Sequence, residues 1–248
     1  MTWNDGPLLG FDLETTGVNP CSDLPVQVAL VGWEPWGAGY RNVFIVNPGC
    51  EVPAGAEAVH GISTRRVRRE GCPLGEAVTI VHAALKKAQA DRVPVVAMNA
   101  SFDVTIAAML FRSFGLAPID WGALVDPLVI DRQVDRCRCG NRSLDALCET
   151  YDIVLGSPHD AGSDADATLA LARKIAERYP EIASFEIGEL TKYQAEWHRT
   201  WALEYDSWCR DNGKPGLAPE EFCWPLREVL VPTCSPAPMM QTCQFPTN

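Results

Sequence analysis

The chain has 248 residues, of which 47% are hydrophobic, and a formal net charge of −11. This composition can bury a full core, and the charge argues against a broad basic groove for duplex nucleic acid. No apolar run could span a membrane, and the amino terminus lacks the basic-then-apolar pattern of a signal peptide. We therefore expect a cytoplasmic protein without membrane contact.

Ten cysteines would suit a secreted disulfide scaffold, but without an export signal they are expected to be free thiols. Cys137-Arg138-Cys139 with Cys148 invites a zinc interpretation. Because this spacing lacks a second ligand pair, we do not predict a zinc site.

The first predicted strand leads into two acids. Residues 7–11 are an apolar run, and Asp12, Leu13 and Glu14 follow directly. Successive side chains alternate along a strand, so Asp12 and Glu14 share a face while Leu13 points to the other. Thr15 follows where the strand breaks and could meet a substrate. The alternative is a strand end with solvated acids.

Residues 26–33 and 42–46 predict two strands that form a meander with the first, with Gly37-Ala38-Gly39 as the turn between them. A turn containing His60 and Gly61 follows, and then a basic run over residues 65–69. Arg132, Arg136, Arg138 and Arg142 form a second basic group. Either group could hold phosphates, although solvated helix faces are the commoner meaning of such runs.

The next acid, Asp103, follows a predicted strand over residues 93–98. Ser101 is the expected N-cap of a helix that continues over residues 105–114, which places Asp103 in the first turn. The helix dipole favours negative charge there, so this acid by itself needs no metal. Further helices are predicted at residues 74–89, 127–134 and 143–151, with a strand near residues 124–126.

The most specific element pairs His159 with Asp164 five residues later, before an alanine-rich helix predicted over residues 164–178. Histidine can take up a proton near neutral pH, so His159 is a candidate general base. Four acids gathered in one pocket would repel one another unless cations neutralise them. We therefore predict a site for Mg²⁺ or Mn²⁺.

In order and context, these motifs resemble the DnaQ-like, or DEDDh, 3′-to-5′ exonucleases, the group that includes the proofreading epsilon subunits of bacterial DNA polymerase III and their actinobacterial and phage relatives. The resemblance covers residues 8–178 and implies a ribonuclease H-like α/β fold, a mixed sheet flanked by helices. It implies that Asp12, Glu14, Asp103 and Asp164 bind two divalent cations, with His159 as the general base. Val59-His60-Gly61-Ile62-Ser63 looks like the family segment that lines the nucleotide pocket.

The resemblance implies hydrolysis of a phosphodiester at a single-stranded or frayed DNA 3′ end, with release of a nucleoside 5′-monophosphate, in proofreading, repair or DNA processing. The expected substrate contacts are Leu13, Thr15, His60, Ile62 and Phe102, of which the apolar ones would pack against the terminal base. An RNA or oligoribonucleotide 3′-exonuclease remains an alternative, because the motifs do not separate DNA from RNA. The second alternative is a polymerase accessory protein or binding module.

The ribonuclease H-like exonuclease domain is predicted to occupy residues 1–180. Residues 181–248 are predicted to form a helical extension with a proline-rich tail. A helix over residues 187–211 carries apolar faces, which are expected to pack on the nuclease domain rather than to form a partner surface. Partners could be a DNA polymerase or a sliding clamp. For the clamp, Gln241 and Phe245 supply only two matches in a five-residue segment.

Overall fold

The structure is a computed structural model that describes residues 2–37, 39–156 and 159–227. A six-stranded sheet has the order β4-β3-β2-β1-β5-β6. Its strands are β1 (Leu8–Thr15), β2 (Pro25–Trp33), β3 (Arg41–Asn47), β4 (Cys72–Pro73), β5 (Val95–Val96) and β6 (Leu124–Val125). β1, β2 and β3 pair antiparallel, while β5 and β6 continue the sheet in parallel with β1. The predicted mixed sheet is confirmed.

Helices lie on both faces of the sheet, as predicted. They are α1 (Ala54–His60), α2 (Thr64–Glu70), α3 (Leu74–Asp91), α4 (Ser101–Ser113), α5 (Pro127–Val134), α6 (Leu144–Thr150), α7 (Ala161–Arg178), α8 (Pro180–Ala183) and α9 (Ile187–Asp211). In the described ranges, no helix is both long and apolar enough to cross a membrane.

The alternation of β1 sends its side chains into two separate cores. Leu9, Phe11 and Leu13 join the core beneath α3 and α4, whereas Leu8 joins the core beneath α7. Gly10 also faces α7, and a Cβ there would lie 3.0 Å from Leu169 and 3.1 Å from a helix carbonyl oxygen. The missing side chain therefore lets α7 lie close to β1, on the face that also carries Asp12 and Glu14.

Several predicted boundaries were wrong. Ala100 rather than Ser101 is the N-cap of α4, and α7 begins at Ala161, three residues before Asp164. The strand predicted over residues 93–98 is limited to Val95–Val96. α1 and α2 were not predicted, because each has seven residues and too short an apolar repeat to stand out. Ala38 of the predicted turn lies outside the described residues.

α9 covers the edge of the sheet at β6. The Gln194 amide nitrogen donates to the Leu124 carbonyl at 2.8 Å, and its amide oxygen accepts from the Asp126 N–H at 2.7 Å. The Thr191 hydroxyl accepts from the Leu124 N–H at 3.2 Å. These side chains satisfy backbone groups that an edge strand would otherwise leave open.

The apolar faces of α9 are only partly core. Leu190 is fully buried, but Tyr193, Leu203 and Trp208 are 41%, 56% and 46% exposed, so the expectation that these three pack on the nuclease domain was wrong. The division at residue 180 stays a prediction. The tail from residue 228, including Gln241 to Phe245, lies outside the described residues.

Candidate active site

Three structural elements bring the predicted acids together. Asp12 and Glu14 lie at the carboxyl end of β1, Asp103 in the first turn of α4 and Asp164 in the first turn of α7. A carboxylate oxygen of Asp103 accepts a hydrogen bond from the Leu13 N–H at 3.0 Å. This contact fixes α4 against the strand residue that lies between the two β1 acids.

Glu14, His159 and Asp164 form a compact set of possible ligands, whose ligand atoms all lie within 4.8 Å of one another. His159 adopts a left-handed backbone conformation with φ of 58°. In this conformation its own N–H donates to the Asp164 carboxylate at 3.2 Å. His159 is exposed to solvent.

Burial and mutual repulsion raise the pKa values of the four acids, although the charge of His159 opposes the shift at Asp164. Burial, followed by repulsion from Asp103 and Glu14, raises the pKa of Asp12 well above its usual value. Burial raises the pKa of Glu14 to about 7 and that of Asp164 to about 6. Burial also raises the pKa of Asp103, although hydrogen bonds from backbone N–H groups oppose the shift. A bound cation would reverse these shifts.

The donor set suits a hard divalent cation. Carboxylate oxygens are the preferred ligands of Mg²⁺ and Mn²⁺, and the direction of the pKa shifts indicates that a cation would stabilise the ionised cluster. Glu14 and Asp164 have ligand atoms within 4.8 Å of each other, and Asp103 and Glu14 are near enough to Asp12 to raise its pKa. The residues present therefore fit the group that the sequence predicts.

A glutamine that the sequence analysis missed holds the start of α7. Gln27 is 5% exposed, and its amide nitrogen donates to the Asp160 carboxylate at 3.1 Å. Its amide oxygen accepts from the Ala161 N–H at 3.1 Å. Asp160 in turn caps α7 through the Ser163 N–H at 3.0 Å. Gln27 thus fixes the helix start that carries Asp164, and a lone amide in an apolar strand was the available signal.

Both ring nitrogens of His60 are engaged. Nδ1 accepts from the Ile62 N–H at 3.0 Å, which leaves Nε2–H to donate to the Thr15 carbonyl at 3.2 Å. Burial lowers the pKa of His60, in agreement with this neutral form. His60 therefore ties the end of α1 to the end of β1, and its ring has no free nitrogen to act as a base.

The predicted apolar contacts differ in their exposure. Leu13 is 8% exposed and belongs to the core beneath α4, while Ile62 is 1% exposed and packs with Val26 and Val67. Phe102 is partly buried beside Asp103. Of the three, Phe102 offers the most surface to a bound base.

Asp126 is a second buried carboxylate that the sequence analysis did not single out. It is 1% exposed and accepts from the Ala100 N–H at 2.9 Å and from the Trp224 indole at 3.2 Å. Together with Gln194, it joins α9 to the turn before α4. Its partners are backbone and indole N–H groups, so its role is structural.

Most arginines of the two basic groups are paired with acids. Arg66 and Arg69 pair with Glu70, and Arg136 pairs with Glu204. Asp131 accepts from both Arg138 and Arg142. Arg65 and Arg132 have no such partner among the described residues.

The sheet order and the helices packed on both faces define a ribonuclease H-like fold. A family model described as "Exonuclease", RNase_T, matches residues 9–172. The chain belongs to this exonuclease family, within its DnaQ-like branch, as the sequence motifs predicted.

The relatives include PolC-type DNA polymerases III. That of Listeria welshimeri is 27% identical over 187 residues, which are 75% of this chain and 12% of the relative. That of Caldanaerobacter subterraneus is 26% identical over 192 residues, or 77% of this chain and 13% of the relative. The chain thus spans only about an eighth of the length of these relatives.

Solved structures with the same fold include Escherichia coli exonuclease I. Its complex with a dT13 oligonucleotide has a TM-score of 0.60 and 22% identity over 71% of this chain and 42% of that chain. Its complex with a dA16 oligonucleotide has a TM-score of 0.61 and 23% identity over 78% and 44%. At this identity the likeness establishes the fold.

Proposed function

We propose that this chain is a metal-dependent 3′-to-5′ exonuclease that releases nucleoside 5′-monophosphates from single-stranded or frayed DNA 3′ ends. The observation that carries the proposal is the convergence of Glu14, His159 and Asp164 within 4.8 Å, beside Asp12 and Asp103. Family membership supports hydrolysis of nucleic acid. The direction, the DNA substrate and a role in proofreading, repair or replication are the proposal itself.

Asp12, Glu14, Asp103 and Asp164 would hold two divalent cations, Mg²⁺ or Mn²⁺. Such cations, when bound, lower the pKa of a water molecule and balance charge on the phosphodiester oxygens. The Leu13 N–H bond to Asp103 and the His159 N–H bond to Asp164 hold two of these carboxylates in place before any cation arrives. The side chains are thereby oriented in advance.

His159 would accept the proton of the attacking water. Its imidazole is exposed and reaches the same small volume as the Glu14 and Asp164 carboxylates. The other histidine nearby, His60, has both nitrogens engaged. This contrast supports His159 as the general base and assigns His60 the task of positioning the Thr15 backbone.

The terminal nucleotide would lie against Leu13, Thr15, His60, Ile62 and Phe102. A frayed end is expected because only an unpaired nucleotide can bring its last phosphate to a recessed cluster of acids. An RNA or oligoribonucleotide substrate remains the second candidate. A polymerase accessory role is supported by the PolC-type relatives, and binding of a polymerase or sliding clamp, like the cytoplasmic location, stays a prediction.

The direct test uses one oligonucleotide labelled at either end. With Mg²⁺, a 5′-labelled single strand should shorten stepwise, whereas a 3′-labelled strand should release labelled mononucleotide at once. Mismatched duplex ends should react faster than matched ends, and RNA provides the alternative substrate. Loss of label from the 5′ end first, or full activity in excess chelator, would contradict the proposal.

Metal binding is also expected to stabilise the fold in a pH-dependent way. Because Glu14 and Asp164 have pKa values of about 7 and about 6, the metal-free fold binds more protons than the unfolded chain and loses stability as pH rises through these values. Cations need the deprotonated acids, so their affinity rises over the same range.

The rise in melting temperature on adding Mg²⁺ should therefore grow from about pH 5 to about pH 8, and calorimetry can measure it. At a cation concentration of about 100 times Kd the gain is about 2.7 kcal/mol. A gain that is equal at both pH values would show that other groups bind the cation.

A further inference from the structure

A groove of about 640 Å³ lies beside the start of α4, and the proposed catalytic chemistry does not use it. The end of α5, the loop at residues 140–142, α9 and the segment after it form its walls. The side chains that matter are Arg132, Arg142, His198, Trp201, Tyr205 and Arg227. A space of this size holds a nucleotide-sized ligand.

Arg132 has no carboxylate partner within 4.0 Å in the described part of the chain, whereas Arg138 and Arg142 share Asp131. Its guanidinium lies over the Trp201 ring, 3.4 Å from the centroid. Burial lowers the pKa of Arg132 to about 10, which leaves it charged at neutral pH. A largely buried cation without an ion-pair partner favours an anion in the adjoining space.

His198 forms part of the buried wall of the groove. It is 7% exposed and lines the same groove. Its Nε2–H donates to the Glu221 carbonyl at 2.9 Å, while Nδ1 has no hydrogen-bond partner among the described residues. Nδ1 is itself buried from solvent, so His198 shapes the wall of the groove without presenting a hydrogen-bonding atom to a ligand.

Aromatic side chains form the outer wall. The rings of Trp201 and Tyr205 lie 5.3 Å apart at 14°, and Tyr205 is 40% exposed. Guanidinium groups beside aromatic rings are the combination that single-stranded nucleic acids meet in their binding grooves. Glu221 is the acidic residue lining this groove, and it lies 4.0 Å from Arg227, so cations dominate the groove in an otherwise acidic chain.

The groove and the candidate active site share the start of α4, since Ser101 lines the groove and Asp103 lies two residues later. Asn99 also lines the groove, and the Asn99 carbonyl accepts from the Phe102 N–H at 2.9 Å. Asp103 lies in the first turn of α4, which begins at Ser101. A strand whose 3′ end lies at the acids can therefore reach Arg132 with its upstream nucleotides.

We propose that this groove binds an upstream nucleotide of the single strand whose 3′ end is being cleaved. Arg132 takes a phosphate, and the exposed part of the Tyr205 ring contacts a base, while Trp201 supports both side chains. This proposal rests on the proposed function, and it explains how an acidic protein holds a polyanion.

The test compares a substrate that occupies only the active site with one that also crosses the groove, and each variant is compared with the unmodified protein on the same substrate. The p-nitrophenyl ester of thymidine 5′-monophosphate occupies the active site alone, whereas a twelve-nucleotide thymidine strand also crosses the groove. Arg132→Ala and Tyr205→Ala should each raise KM for the strand about tenfold, with kcat and the ester kinetics unchanged. Arg132→Ala should also reduce the slope of log KM against log salt by about 0.7, the share of one phosphate contact.

Controls separate binding from folding. Arg199→Ala removes an equal charge from an exposed position on α9 and should leave KM unchanged. Tyr205→Phe keeps an aromatic ring and should therefore have the KM of the unmodified protein. Arg132→Lys should retain the dependence of log KM on log salt, although it loses the stacking of the guanidinium on the Trp201 ring.

An unchanged KM in Arg132→Ala and Tyr205→Ala would overturn the proposal and leave the groove to a protein partner. An equal loss on both substrates would overturn it as well, since it would show a structural defect. If the unmodified protein cleaves neither substrate, the proposed function fails. Fluorescence anisotropy of the labelled strand, measured with the same variants, then shows independently whether the groove binds the strand.

Discussion

Replacement of Asp12 by asparagine should lower turnover of single-stranded DNA at least about 1,000-fold, because cation positions supply several kcal/mol of transition-state stabilisation. The same change should raise the melting temperature of the metal-free protein. Burial and the neighbouring acids Asp103 and Glu14 oppose the charge of Asp12, so an uncharged amide of equal size relieves the repulsion. Activity and stability are thus expected to move in opposite directions.

The matched control is Asp211→Asn, which removes one negative charge from an exposed position at the end of α9. It should change neither turnover nor melting temperature. Turnover by Asp12→Asn within about tenfold of the unmodified protein would show that Asp12 is not a ligand, since tenfold corresponds to only about 1.4 kcal/mol. Calorimetry and the end-labelled assay measure the two effects separately.

Loss of the imidazole at His159 should lower kcat by about 100-fold to 10,000-fold, the usual contribution of a general base. Glycine is the informative replacement, because the backbone of His159 has φ of 58° and glycine adopts this conformation without strain. His159→Ala should lose activity and, in addition, some stability. The N–H bond to Asp164 is kept in His159→Gly, so cation binding should be little changed.

Imidazole in the buffer should partly restore the activity of His159→Gly, since the side chain is exposed and leaves an open space. His82→Ala, which removes a histidine from α3, should behave as the unmodified protein does. Unchanged kcat in His159→Gly would show that another group accepts the proton. Weaker Mg²⁺ binding without imidazole rescue would assign His159 to the cation instead.

The sequence predicted the parts of the site that follow from local chemistry. Asp12 and Glu14 share a face because successive side chains of a strand point to opposite faces. A strand and a turn precede Asp103 and an apolar helical repeat follows it, which places Asp103 in the first turn of a helix. The order of these motifs led to the correct family and the mixed sheet. The site residues themselves stay predictions until the variants are measured.

The features that were missed depend on contacts between distant segments. Gln27 is one polar residue in a strand, and its partner Asp160 lies 133 residues away. Arg132 could not be told from its paired neighbours, because the acids that neutralise them are visible only in three dimensions. Ser101 was assigned as a cap by residue type alone, and the helix begins one residue before that assignment predicts.

The contacts of Thr191 and Gln194 with β6 bear on how copies of this protein can meet. Addition of a strand from another molecule is blocked at that margin by a helix. At the opposite margin, β4 offers two residues, and Pro73 has no N–H to donate. Within the described residues, self-association by extension of the sheet is therefore disfavoured at both edges.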